Sequence, residues 1–272
     1  MQPRRLTSFN FWYFVIFTVA LYLPLLLLII FSFNDAKALV FPLQGFTTRW
    51  YGEMLRTTEL VGSLGNSVLL GIASSLVATI LGTMAAIGVV RYKFPGRALF
   101  VAIAAMPLVI PYVVLAVAML LLFSQLNIPL SLWTVGLGHV IINIPLVMLI
   151  VAARLIGMER NLEEAAMDLG ATYWSTLARV TLPIALPAMV AAFLVSFTTS
   201  FDEFALAFFL IGPEPTLPVY IYSQLRFPSR LPIIVTMASV IMVVSVLMIV
   251  FSEYVRCWGN STPARPRSEG VQ

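Results

Sequence analysis

The sequence predicts an all-α membrane protein with six transmembrane helices, and three observations predict it. Of its 272 residues, 60% are apolar and only 10% are charged, a balance suited to a polytopic membrane protein. Charge is absent from residues 6–34, 63–90 and 99–153. Such runs cross a hydrocarbon layer of about 30 Å at a rise of about 1.5 Å per residue. With six spans and both termini on one side, eleven Lys and Arg residues fall on the side of the termini and five on the other. That bias puts both termini in the cytoplasm.

Composition also excludes several classes. A single cysteine, Cys257, leaves no intramolecular disulfide, and with one histidine, His139, a His- or Cys-based metal or nucleophile site has no partners. The net charge of +4 is a topology signal, because the basic residues flank apolar spans; it is not a nucleic-acid footprint. No Gly-x-x-x-x-Gly-Lys-Ser/Thr loop is present, so the chain has no phosphate cradle of its own.

The elements follow in order. Residues 1–10, with Arg4 and Arg5, form a cytoplasmic N-terminus ahead of span one, about 11–33. That run is too long for a signal peptide and no small-x-small cleavage site follows it, so it is read as retained. A polar loop over 34–62 holds Trp50 and Tyr51, rings suited to the headgroup layer. Span two, about 63–90, carries Gly71, Gly82 and Gly88 among Ala and Ser, a composition for close helix packing, and ends at the basic turn Arg91 to Arg97. The uncharged stretch after Leu99 is too long for one helix. It divides at Ser124–Ser131 into span three, about 98–123, and span four, about 131–153. Pro107 and Pro111 kink span three, and Tyr112 follows the second proline. This bend is either a pathway wall or a packing adjustment. His139 reads as a buried hydrogen-bonding residue between helices.

Span five, about 184–211, contains Ser196, Phe197, Thr198, Thr199, Ser200, Phe201, Asp202, Glu203 and Phe204 in succession. Ser196, Thr199, Ser200 and Glu203 share one helical face, with Thr198 and Asp202 beside it. Carboxylates at membrane depth are expensive and face protein or water. Two readings stand: an anionic patch facing a pathway, or a pair lying at the interface. Gly212-Pro213 ends the span, span six covers about 231–255, and the polar, proline-containing tail 257–272 is expected to be cytoplasmic and disordered.

The longest polar island is 158–183. Four of the twelve acidic residues, Glu159, Glu163, Glu164 and Asp168, fall within ten positions. Leu162, Ala165, Ala166 and Leu169 recur at helical spacing. Asn161 suits an N-cap, and Gly170 suits the left-handed residue that ends a helix. A second short helix, Tyr173 to Arg179, follows, and Pro183 and Pro187 mark the start of span five. By itself this is either a generic amphipathic connector or a docking element.

Glu164-Ala165-Ala166, then Gly170 after three residues, then Val180 after nine, then Leu182-Pro183 resembles the EAA motif of ABC-importer permeases. Val180 stands where that motif carries isoleucine. Gly45-Phe46-Thr47 with Trp50-Tyr51, and the segment from Gly212 to Arg226, are similar to the spermidine/putrescine-type members. The resemblance covers roughly residues 11–256 and implies the MetI-like transmembrane domain of a type I ABC importer in a bacterial inner membrane. It implies a second, non-identical permease subunit, two ABC ATPase subunits carrying ATP and Mg, and an external or periplasmic substrate-binding protein; no cofactor is implied on this chain. Loop 158–183 would be the coupling helix, with Glu163, Glu164, Ala165, Ala166, Asp168, Gly170, Leu182 and Pro183 carrying it. The implied cargo is a polyamine, a flexible polycation that carboxylates and aromatic faces attract. The candidate pathway residues are Asp202, Glu203, Tyr112, Ser196, Thr199 and Phe201. Some polyamine permeases hold a carboxylate where this chain has Tyr112, which leaves an opine, another amine or an amino-acid-like solute open. An ion-coupled secondary carrier is the alternative from another class; no inverted repeat supports it.

Overall fold

The computed structural model describes residues 9–36, 41–159 and 161–259. The expected N-terminal stretch before Phe9 and the expected disordered tail beyond Gly259 lie outside the described residues. In chain order the helices are α1 (Phe9–Ser32), α2 (Arg49–Arg56), α3 (Thr58–Arg91), α4 (Arg97–Val109), α5 (Tyr112–Gln125), α6 (Leu132–Ile156), α7 (Asn161–Asp168), α8 (Tyr173–Thr176), α9 (Leu182–Asp202), α10 (Ala205–Leu210), α11 (Leu217–Gln224) and α12 (Leu231–Gly259). Among the described residues, five helical stretches are long and apolar enough to cross a membrane, or six if the bent pair α4 and α5 is one span. The chain forms two compact units, one drawn from residues before Thr58 and after Ser223, the other from Thr58 to Ser223.

In the first unit α1 and α2 pack on α12. Ser239 Oγ donates to the Leu28 carbonyl at 3.0 Å. Trp50 departs from its expected role in the headgroup layer. It is buried, and its indole Nε1–H donates to the Asn34 carbonyl at 2.8 Å. Asn34 Oδ1 in turn accepts the Gln44 N–H, and Tyr51 OH meets Ser32 Oγ at 2.8 Å. The loop has inward hydrogen-bond partners for both aromatic heads, so they staple it to the end of α1.

The second unit is built on α3, which packs against both α6 and α9. Its buried face is small and hydroxylic, with Gly71, Ser74, Ser75, Ala78, Thr79, Gly82, Thr83 and Ala86 at helical spacing. Without a large difference in hydrophobicity between lipid and protein, close backbone approach supplies the packing energy. A Cβ on Gly82 would stand 2.7 Å from Val147 Cβ and 2.9 Å from the Ile144 carbonyl oxygen of α6. Glu59 in the first turn of α3 and Arg91 in the last complement the helix dipole.

Two spans differ from their expected form. The third is not one kinked helix: α4 and α5 meet at 104°. Pro111 removes an N–H and excludes helical backbone at Ile110, whose ψ is 128°. The fifth is not preceded by a separate helix ending at Arg179. Helix runs without interruption from Tyr173 to Asp202, 30 residues, through a π segment at Leu177–Thr181. Pro183 lacks the N–H that an α-helix would use, and the Leu182 N–H reaches back five residues to the Leu177 carbonyl. The same span then stops at Asp202, and α10 begins after a break at Glu203 and Phe204.

Candidate functional site

The loop between α6 and α9 is organised by α7. Asn161, expected as its N-cap, is its first helical residue. The helix closes on Gly170, whose φ is +87°. The Ala171 N–H bonds the Ala166 carbonyl at 3.0 Å and the Gly170 N–H bonds the Met167 carbonyl at 2.9 Å, the paired bonds of a Schellman motif. Thr172 then caps α8, its hydroxyl accepting from the Ser175 N–H at 3.3 Å.

Glu163 faces inward and gathers three elements. Its carboxylate lies 3.0 Å from Arg91 Nε at the end of α3, and accepts from Thr181 Oγ1 in the π segment at 2.6 Å. Glu163, Glu164, Arg91, Tyr92, Met167, Tyr173 and Thr176 are among the residues lining a pocket of about 180 Å³ beneath α7. The opposite face is apolar and open. Leu162 is exposed and Leu169 is 90% exposed there, with Ala165 exposed between them; Glu164, Met167, Asp168, Gly170 and, on α8, Trp174 are exposed as well. Leu182 packs on the core cluster that includes Val147, Val151 and Ala185, and Pro183 follows the π segment at the start of α9.

The polar arc of span five divides into two. Ser196, Ser200 and Glu203 are buried, whereas Thr198 and Asp202 are exposed and Thr199 is half-buried. Thr198 and Thr199 return their hydroxyls to the Leu194 and Val195 carbonyls, both at 3.0 Å. Phe201 is half-buried and stacks on Phe197 with centroids 5.9 Å apart. Tyr112, the first residue of α5, packs on the cluster around Leu206 and Leu210. Glu203, expected with Asp202 on a shared anionic patch, turns the other way. Its backbone is extended, with ψ 120°, so it leaves the chain on the opposite side from its exposed neighbour.

Glu203 Oε1 accepts the Leu206 N–H at 2.9 Å and Oε2 accepts the Ala207 N–H at 3.1 Å. His139 Nε2 of α6 stands 3.4 Å from Oε2, and its Nδ1 is 2.6 Å from Ser200 Oγ. Ser200 Oγ meets Ser74 Oγ of α3 at 2.9 Å. Three helices are thereby joined at one level. A lone histidine in an apolar span and a carboxylate at membrane depth were the sequence signals for this network; nothing in the sequence paired the two.

The family described as binding-protein-dependent transport system inner membrane component matches residues 78–256. The spermidine/putrescine transport system permease protein PotC of Escherichia coli (strain K12) is 32% identical over 236 residues, covering 86% of this chain and 89% of that protein. The putrescine transport system permease protein PotI of the same strain is 38% identical over 214 residues, covering 76% of each. Among solved structures, a chain of a bacterial ABC transporter involved in the import of the acidic polysaccharide alginate superposes with a TM-score of 0.69. It has 19% identity, over 94% of this chain and 98% of that one, a likeness of fold.

Proposed function

The chain belongs to the family of binding-protein-dependent transport system inner membrane components, and from that premise we propose that it forms half of the membrane pathway of an ATP-driven importer for a polyamine of the spermidine or putrescine type. It is a multi-pass inner-membrane component and not an enzyme; hydrolysis of ATP, with its Mg, belongs to two ATPase subunits on the cytoplasmic side. A second, non-identical permease completes the pathway, and an external binding protein delivers the cargo. Both termini and α7 lie in the cytoplasm, as the excess of Lys and Arg on that side supports.

The observation that carries the coupling role is the two-faced character of α7. Leu162, Ala165 and Leu169 offer an uncovered apolar surface, while Glu163 faces inward and fastens the helix to Arg91 and Thr181. Closure of the ATPase pair would press on this surface, and the anchored helix would pass the displacement to α3 and α9, reorienting the spans. Glu164, Asp168 and Gly170 complete the docking element, with Leu182 and Pro183 starting the span it drives.

For the cargo, Asp202, Thr199, Phe201 and Tyr112 form the proposed pathway set, with the charge on Asp202. Ser196 and Glu203 face the protein interior and are set aside from cargo contact. The cargo class rests on the polyamine relatives. The complex with its binding protein, reconstituted in nanodiscs, tests this reading through its ATPase response to a panel of solutes. Stimulation by spermidine or putrescine supports it; stimulation only by another amine or an opine keeps the importer and removes the polyamine; absence of an ATPase partner reopens the ion-coupled carrier.

A further inference from the structure

We propose that Glu203 is an internal helix cap that keeps the fifth span interrupted, and that His139, Ser200 and Ser74 hold it inward, so that of the two adjacent carboxylates Asp202 is the one presented to the cargo. The cargo half of this statement rests on the function proposed above; the clamp stands on geometry.

A helix that stops within a membrane leaves N–H groups with no water to satisfy them, and each orphan costs several kcal/mol. The residue immediately before α10 is Phe204, whose ring accepts nothing. Glu203, one position earlier, supplies both oxygens to the N–H groups of Leu206 and Ala207. A carboxylate is well matched to this task, because it offers two acceptors at the positive end of the helix. With Glu203 and His139 both buried, the carboxylate is turned to the backbone and away from any passing solute.

The rest of the network agrees in direction. Ser200 Oγ sits between Ser74 Oγ at 2.9 Å and His139 Nδ1 at 2.6 Å, and the other ring nitrogen, Nε2, faces Glu203 Oε2 at 3.4 Å. Ser74 is on α3, His139 on α6 and Ser200 on α9, so the break is fixed to the three helices that make the core of this unit. These are positioning residues: they set where Asp202 stands and do not themselves meet cargo.

Amide hydrogen exchange of the assembled transporter in nanodiscs, followed on the peptide covering 204–211, tests the clamp together with spermidine uptake. Loss of a cap bond to a charged acceptor speeds exchange roughly tenfold or more, and that is expected for Glu203→Ala, with a smaller rise for Ser200→Ala. Glu203→Gln keeps the shape and one acceptor oxygen, so it should recover most of the uptake lost in Glu203→Ala. Asp202→Asn should leave exchange at this peptide unchanged while uptake falls. Unchanged exchange in Glu203→Ala overturns the clamp, as does a Glu203→Gln transporter that loses uptake as fully as Asp202→Asn. Undiminished uptake by Asp202→Asn removes the cargo role and leaves the clamp to be judged by exchange alone.

Discussion

The Thr181 hydroxyl donates to Glu163 Oε1 at 2.6 Å, so the first turn of α7 is bonded to the π segment at the foot of α9. Arg91 joins the same carboxylate from the third helix. Removing the carboxylate leaves a mostly buried guanidinium without its counter-charge, which costs about 3 kcal/mol. Glu163→Ala is expected to lower the melting temperature of the complex and to reduce uptake per ATP hydrolysed. Glu163→Gln, which retains an acceptor for Thr181, should fall between the two. Thermal unfolding followed beside coupled transport reads both effects.

Gly170 is a question of backbone and not of space. A Cβ there would meet nothing within 4 Å, but a φ of +87° penalises any L side chain by about 1–2 kcal/mol. Gly170→Ala should weaken the Schellman turn and lower uptake more than it lowers ATPase activity. Gly170→Asn, which tolerates left-handed backbone better, should be milder; equal damage from both would show that the turn conformation is not what matters.

Leu169 should report docking with little effect on folding. It is 90% exposed, and surface substitutions of this kind stay within about 0.5 kcal/mol of stability. Leu169→Glu is expected to leave the permease's own melting point in place while reducing copurification of the ATPase. Retained copurification and retained stimulation would assign the docking surface elsewhere.

Gly82 sets how closely α3 approaches α6. Gly82→Ala places a methyl against Val147 and the Ile144 backbone, and overpacking of this kind costs about 1–3 kcal/mol. The expected result is a lower yield and an earlier thermal transition in detergent. Gly88→Ala, at a position with nothing within 4 Å, is the matched control.

What the sequence disclosed depended on how local the cause was. Gly170 could be read because a helix end needs a left-handed residue within one turn of itself, and the helices could be read because long uncharged runs in lipid have few alternatives. The separation of Asp202 from Glu203 could not be read. It follows from a break in the helix, and that break is capped by Glu203 under a histidine 64 positions earlier in the chain. Helical periodicity placed both carboxylates on or beside one face, and the interruption put them on opposite sides. Trp50 was hidden for a similar reason: its destination is a backbone carbonyl at Asn34, which no composition discloses. Pro183 looked like the start of a new helix but is equally compatible with the π turn that carries one helix past it.

That continuity has a mechanical meaning. From Tyr173 to Asp202 the backbone is a single strut of 30 residues, about 45 Å at the helical rise, with no slack linker in which a push could dissipate. A thrust at its foot arrives at its tip as nearly the same axial displacement. Under the proposed coupling, the displacement that reaches Asp202 is set at Tyr173, and the break at Glu203 and Phe204 is where the continuous strut ends.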